Sequence, residues 1–151
     1  MGIVDVMNLH VVEVDPEADL RTAAQTMIEN GVGSVAVCED ARLVGILTER
    51  DILRLVANGR SAAGTKVADT MTTELVTAGA DADILDVAQV MGQNHIRHLP
   101  VVEGDNLLGM VGVREIVDAL AERLWRTQET DVRASVHTLL GTLRQRSAQR
   151  G

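Results

Sequence analysis

A chain of 151 residues with 46% hydrophobic content is large enough to bury a core, as one compact domain or two small fused ones, and this excludes a disordered chain. Its net charge of −8 excludes sequence-independent nucleic-acid binding, which needs a basic surface to release counterions, so any phosphate site must be built locally. With no Phe, no Tyr and Trp125 as its single aromatic residue, it also lacks platforms for base stacking, and a purine would be held by aliphatic side chains.

No apolar run is long enough to span a bilayer, and the N-terminus lacks the basic and apolar regions of a signal peptide, so the chain reads as cytoplasmic. Met1-Gly2 is a superficial myristoylation start, but Val6 stands where that motif requires Ser or Thr. The single cysteine, Cys38, forms no intrachain disulfide. Inside the apolar run that begins at Ser34 it reads as a small core residue.

In chain order, Asp5-Val-Met7 is followed by Val12, and Asp19 then precedes a helical pattern with one apolar stripe, Leu20, Ala23, Ala24, Met27 and Ile28. Asp19 is its predicted N-cap, and the helix ends near Asn30-Gly31. Val35 to Cys38 reads as a short strand and Asp40-Ala-Arg42 as a turn. The returning strand runs into Gly45-Ile-Leu-Thr-Glu-Arg-Asp-Ile-Leu53, and a closing helix carries Ile52, Leu55 and Val56. Asn58 to Lys66, with Gly59, Ser61 and Gly64, suits a surface connection. The same order then repeats in constant register. Asp69-Thr-Met71 and Val76 lead to a cap at Asp83 and a stripe of Ile84, Val87, Ala88 and Met91, with the helix end near Asn94-His95. Leu99 to Val102 is the next strand and Gly104-Asp-Asn106 the turn. Gly109-Met-Val-Gly-Val-Arg-Glu-Ile-Val117 then leads into a helix carrying Ile116, Leu120 and Leu124.

Each copy therefore predicts strand, helix, strand, strand, helix after a short helical turn, in a mixed α/β (α+β) fold. One copy buries too little surface to stand alone, whereas two packed face to face bury enough. The predicted organisation is a first unit at 1–60, a linker at 61–66, a second unit at 67–124 and a C-terminal helical extension at 125–151. In the extension Val132, Val136, Leu139, Leu140 and Leu143 form a helical stripe, with Arg144, Arg146 and Arg150 where cations suit a helix C-terminus. That apolar face either folds back onto the module or is buried in a second subunit, and the last residues are expected to fray.

In both copies a buried strand feeds a helix N-terminus, where exposed N–H groups and the helix dipole favour an anion. Thr48 and Asp51 stand at that mouth in the first copy. The same residues also spell a capping box, a hydroxyl at the N-cap with an acid three residues on, worth about 0.5–2 kcal/mol. Glu115, at the equivalent spacing, supports capping in the second copy, where Gly112 shows that a hydroxyl is not needed. His10, His95 and His98 have no carboxylate or cysteine cluster to make a metal site, and His95 stands at a helix end that favours a partly charged imidazole. The sequence contains no nucleophile with a base, no paired catalytic carboxylates in one motif and no phosphate-transfer loop, so an enzyme is not expected.

The duplicated pattern resembles the tandem CBS-domain pair, or Bateman module, and in particular its small stand-alone bacterial members. The resemblance rests on Gly-Ile-Leu-Thr-Glu-Arg-Asp-Ile-Leu in the first half, His95-Ile-Arg-His-Leu-Pro-Val-Val102 in the second and the paired Asp-x-Met openings, and it covers about residues 3 to 124. It implies two units related by a pseudo-twofold axis, with two clefts between them. Such clefts take adenosine-containing ligands such as AMP, ADP, ATP or S-adenosylmethionine, no cofactor is required, and the modules pair into a disc-like homodimer. By the same resemblance Thr48 contacts phosphate and Asp51 the ribose hydroxyls, with Arg50 in reach of a phosphate. An ionised carboxylate only accepts hydrogen bonds, which suits the two donors of a ribose diol. Ile96, Arg97, His98 and Pro100 would flank the base of this first cleft from the opposite unit.

The second copy departs from the pattern. Gly112 replaces the hydroxyl and Glu115 the shorter acid, while Arg97 and His98 supply cations where the first copy has Gly33 and Ser34. Ser34, Arg114 and Glu115 complete the candidate set, and the two sites are expected to be unequal. The function implied is a regulatory module that senses an adenine nucleotide by changing the angle between its units or the dimer contact, and so acts on a regulated protein. The alternative is an interaction or scaffold protein with vestigial clefts, acting through its C-terminal helix and dimer surface.

Overall fold

The computed structural model describes residues 1–127 and, beyond them, Val136, which is helical. The first half begins with a 3-10 turn at Ile3–Asp5 and continues through β1 (Glu13–Val14), α1 (Leu20–Asn30), β2 (Ser34–Glu39), β3 (Arg42–Thr48) and α2 (Glu49–Ala57). The second half repeats it with a 3-10 turn at Val67–Asp69, β4 (Ala78–Gly79), α3 (Ile84–Asn94), β5 (His98–Glu103), β6 (Asn106–Gly112) and α4 (Val113–Thr127). This is the element order the repeat predicts. The remaining stripe expected from Val132 to Leu143 lies outside the described residues.

Local chemistry accounts for the helix ends. Asp19 accepts the Thr22 N–H at 2.8 Å and Asp83 accepts the Leu85 N–H at 2.9 Å, which satisfies donors that have no partner inside the helix. These bonds hold both carboxyl groups below their usual range. Helix α1 stops at Gly31, whose φ of 64° is left-handed and costs glycine little. His95 ends α3 in the same conformation, φ 55°, without glycine's freedom.

The strands form one sheet in the order β1-β2-β3-β6-β5-β4, which reads the same from either edge. Within each half the long strands are antiparallel and the short one is parallel to its neighbour, while β3 and β6 join through Arg42 and Asn106. Ala36, Ile46 and Met110, with Cys38, Leu43 and Leu107 against them, close the seam between the halves. Burial pushes the Cys38 thiol up to about 11, as expected of a small core residue rather than a reactive thiolate.

Each half has its own helix-covered core, but the two opening turns are exchanged between them. Ile3 is fully buried among Ile84, Val87, Met91, Leu99 and Val111 of the second half, and Val67 among Leu20, Met27, Val35 and Leu47 of the first. Backbone bonds fix the exchange: Ile3 N–H donates to Ala82 at 2.9 Å, and Asn8 and Met110 exchange bonds at 2.8 and 3.0 Å. On the other side Val67 N–H donates to Ala18 at 2.8 Å, and Thr72 and Ile46 exchange bonds at 2.9 and 3.0 Å. The openings' methionines need glycines opposite them. A Cβ on Gly45 would lie 2.5 Å from Met71 Sδ, and one on Gly109 would lie 2.8 Å from Met7 Sδ. The sequence units 1–60 and 67–124 thus interlock, each with the opening of the other buried in its core.

Candidate functional site

Two clefts lie where the halves meet, and each is built from both. The first encloses about 370 Å³ and the second about 400 Å³, within the range of about 300–1,000 Å³ common for small-molecule sites.

In the first cleft β3 delivers Thr48 to the start of α2, which supplies Arg50, Asp51 and Arg54. Asp51 Oδ2 accepts both the Thr48 N–H at 2.9 Å and the Thr48 hydroxyl at 3.0 Å, while Arg54 Nη1 lies 3.8 Å from Oδ1. The Asp51 side chain is 11% exposed. It closes the helix start and lines the cleft at once, so the capping and cleft positions coincide in one residue. The opposite wall comes from the second half: Thr72, Glu74 and Val76 after its opening turn, and Asn94, His95, Ile96, Arg97 and His98 where α3 turns into β5.

The second cleft is the pseudo-symmetric counterpart. Gly112, Val113, Arg114 and Glu115 face Gly31, Val32, Gly33 and Ser34, together with Asn8, His10 and Glu49. Glu115 Oε2 accepts the Gly112 N–H at 2.8 Å. The longer acid therefore makes the reach-back bond that Asp51 makes in the first half, without a hydroxyl beside it.

Arg97 and His98 line both clefts. Arg97 Nη2 lies 3.2 Å from Glu49 Oε1, an ion pair that ties the two halves together. Burial lowers His98 below its ordinary 6.5 and the Arg97 charge adds to this, against the opposing pull of Glu115 and Glu49.

Thr48, Arg50, Asp51, Ile96, Arg97 and His98 are therefore brought together in the first cleft, and Ser34, Arg97, His98, Arg114 and Glu115 in the second. Pro100 is not at either: it is fully buried in β5, opposite Met110. It follows the cleft residues in sequence, but strand alternation turns it into the seam between the halves. Sequence reasoning did not select Arg54, Glu74, Asn8 or Glu49. The repeat register held a signal for Asn8 and Glu74, since Asn8 and His10 after the first Asp-x-Met opening correspond to Thr72 and Glu74 after the second and each pair lines a cleft; Arg54 stands one helical turn beyond Asp51. Among the described residues no group of three or more His, Cys, Asp or Glu is placed to hold a metal ion, and no helix is long and apolar enough to cross a membrane.

Comparison with known proteins matches this arrangement. The family model for the CBS domain matches twice, at residues 3–58 and 67–122. The CBS domain-containing protein YhcV of Bacillus subtilis is 38% identical over 116 residues, covering 76% of this chain and 82% of that one. A mitochondrial CBS domain-containing protein of Arabidopsis thaliana is 39% identical over 104 residues, covering 65% of this chain and 50% of that protein, so the chain spans half its length. Among solved structures, a CBS domain pair in complex with 5′-methylthioadenosine and S-adenosyl-L-methionine superposes with a TM-score of 0.76 at 22% identity, covering 82% of this chain and 98% of that one. That last likeness is one of fold.

Proposed function

The chain belongs to the CBS-domain family, as a pair of such domains, and on that premise we propose that it is a regulatory module that binds an adenosine-containing ligand between its two halves. The observation that carries this reading is the first cleft itself. The start of α2 presents Thr48 and Asp51 from one half, and Ile96 and Arg97 face them from the other. The carboxylate suits a ribose diol, the arginines and the helix N-terminus suit phosphate, and Ile96 and Val76 offer the aliphatic surface that a purine needs in a chain so poor in aromatics. The solved CBS pair holding two adenosine compounds supports the ligand class.

A ligand touching both halves binds one mutual arrangement better than others, and that difference is all a sensor requires. AMP, ADP, ATP and S-adenosylmethionine are the candidates. The reading needs no catalytic group. It places the module in the cytoplasm, acting on a regulated protein. It includes a homodimer, which is supported by apolar side chains exposed on the closing helices: Leu53 and Val56 on α2, Val117 and Trp125 on α4.

Calorimetric titration with the four candidates, on the wild type and on Asp51→Ala, tests the reading. Binding that weakens in the variant, with its circular dichroism unchanged, supports it. Absence of binding by all four moves the protein to a scaffold acting through the helices.

A further inference from the structure

The two clefts have one arginine in common, beside Arg50 and Arg54 in the first and Arg114 in the second. Arg97 begins the turn into β5, and its counterpart before β2 is Gly33, which has no side chain. Exact duplication would have placed a cation at each position, yet a single guanidinium lines both clefts. Its partner is Glu49, at 3.2 Å, on the wall of the second cleft. The glycine and the pair belong together, since a Cβ on Gly33 would lie 3.3 Å from the Glu49 carboxylate.

We infer that Arg97 is shared by the two clefts and sets them against each other for anionic ligands. The inference rests on the reading of the clefts as adenosine-ligand sites. A phosphate in the first cleft draws the guanidinium away from Glu49. The second cleft then loses a cation and keeps an uncompensated carboxylate on its wall, so an anion binds there less tightly. Linkage makes the effect equal in both directions. An uncharged adenosine ligand makes no demand on Arg97 and fills the clefts independently. Arg97 and Glu49 are 54% and 61% exposed, so the coupling has the strength of a surface ion pair, about two- to fivefold in affinity.

Site-resolved amide titrations of the isotope-labelled chain with AMP and with adenosine test this. The Thr48 N–H, bonded to Asp51, reports the first cleft, and the Gly112 N–H, bonded to Glu115, reports the second. Asp51→Ala weakens the first cleft, and the AMP midpoint at Gly112 then falls about two- to fivefold. In an Arg97→Gln background the same substitution leaves that midpoint unchanged, and the adenosine midpoint at Gly112 is unchanged throughout. Because Asp51 also closes a helix, the slope of the Gly112 curve with AMP supplies a second measure, below one in the wild type and one in Arg97→Gln. A wild-type slope of one, with a Gly112 midpoint indifferent to Asp51→Ala, overturns the coupling and leaves both clefts as ligand sites. A response to AMP at Thr48 without one at Gly112 also overturns it, leaving a single site. If neither amide responds to either probe, the adenosine-ligand reading itself fails.

Discussion

The carboxylate of Glu115 occupies the place where a side chain on residue 112 would begin. A Cβ on Gly112 would lie 2.5 Å from Glu115 Oε2, the same oxygen that accepts the Gly112 N–H at 2.8 Å. Gly112 with Glu115 is thus a matched replacement for Thr48 with Asp51: the side chain lost at one position makes room for the methylene gained at the other. The helix-closing bond is kept while the hydroxyl is given up. Gly112→Thr alone therefore displaces Glu115 and lowers stability by about 1–2 kcal/mol, the scale of a lost cap. Adding Glu115→Asp recovers most of that loss. Urea denaturation of the two single variants and the double variant measures the coupling, and losses that simply add would show that the exchange is not compensatory.

Asp51 carries two tasks, and Asp51→Ala removes both. Losing its bonds to the Thr48 N–H and hydroxyl costs about 1–2 kcal/mol in urea denaturation. Losing the acceptor for a ribose diol weakens AMP binding roughly tenfold to a hundredfold in calorimetry, the scale of charge-assisted hydrogen bonds. Thr48→Val removes one hydroxyl and leaves the reach-back bond to its N–H, so both losses are smaller. A stability loss with unchanged affinity would confine Asp51 to capping.

The element order was legible because each local signal agreed with the next: aspartates before apolar stripes, Gly31 after the first helix, turn residues between short apolar strands. The exchanged openings were not legible. Ile3 and Val67 are apolar residues in equivalent places, and either fits either core, so their sequence does not say which half they join. The same holds for the pairing of Arg97 with Glu49, which depends on how the halves meet. Pro100 was misplaced for a related reason. Both faces of β5 are buried, Leu99 and Val101 toward the helices and Pro100 toward the seam, and a strand covered on both sides gives no alternation to read.

His98 gives the protein a pH dependence with a definite sign. Its folded value lies below the ordinary 6.5, so between the two values the unfolded chain binds more protons than the folded one. Stability from this group is fully present above about pH 6.5 and is lost as pH falls through the lowered folded value. Urea midpoints measured downward from pH 7.5 decline in the wild type and decline less in His98→Gln. Because His98 lines both clefts, an anionic ligand raises its value, so AMP binding strengthens as pH falls through the range between the free and the bound value. Titration of the His98 ring by NMR with and without AMP shows the direction, and an unmoved ring would remove His98 from contact with the ligand.

The interlocked openings predict that damage at the start of the chain is felt in the second half. Ile3→Ala leaves a cavity among Ile84, Val87, Met91, Leu99 and Val111, and loss of a fully buried isoleucine costs about 2–5 kcal/mol. Hydrogen exchange then rises first in α3 and β5, while amides of α1 and β2 keep more of their protection. Val67→Ala produces the reverse pattern, with a smaller loss because fewer carbon atoms are removed. Gly109→Ala adds a third arm. Its Cβ meets Met7 Sδ at 2.8 Å and the Asn8 carbonyl at 3.0 Å. The methionine can move but the backbone carbonyl cannot without breaking the Asn8–Met110 bonds, so destabilisation of about 1–3 kcal/mol follows. Were Ile3→Ala to raise exchange first in α1 and β2, the opening turn would belong to its own half and the interlock would be lost.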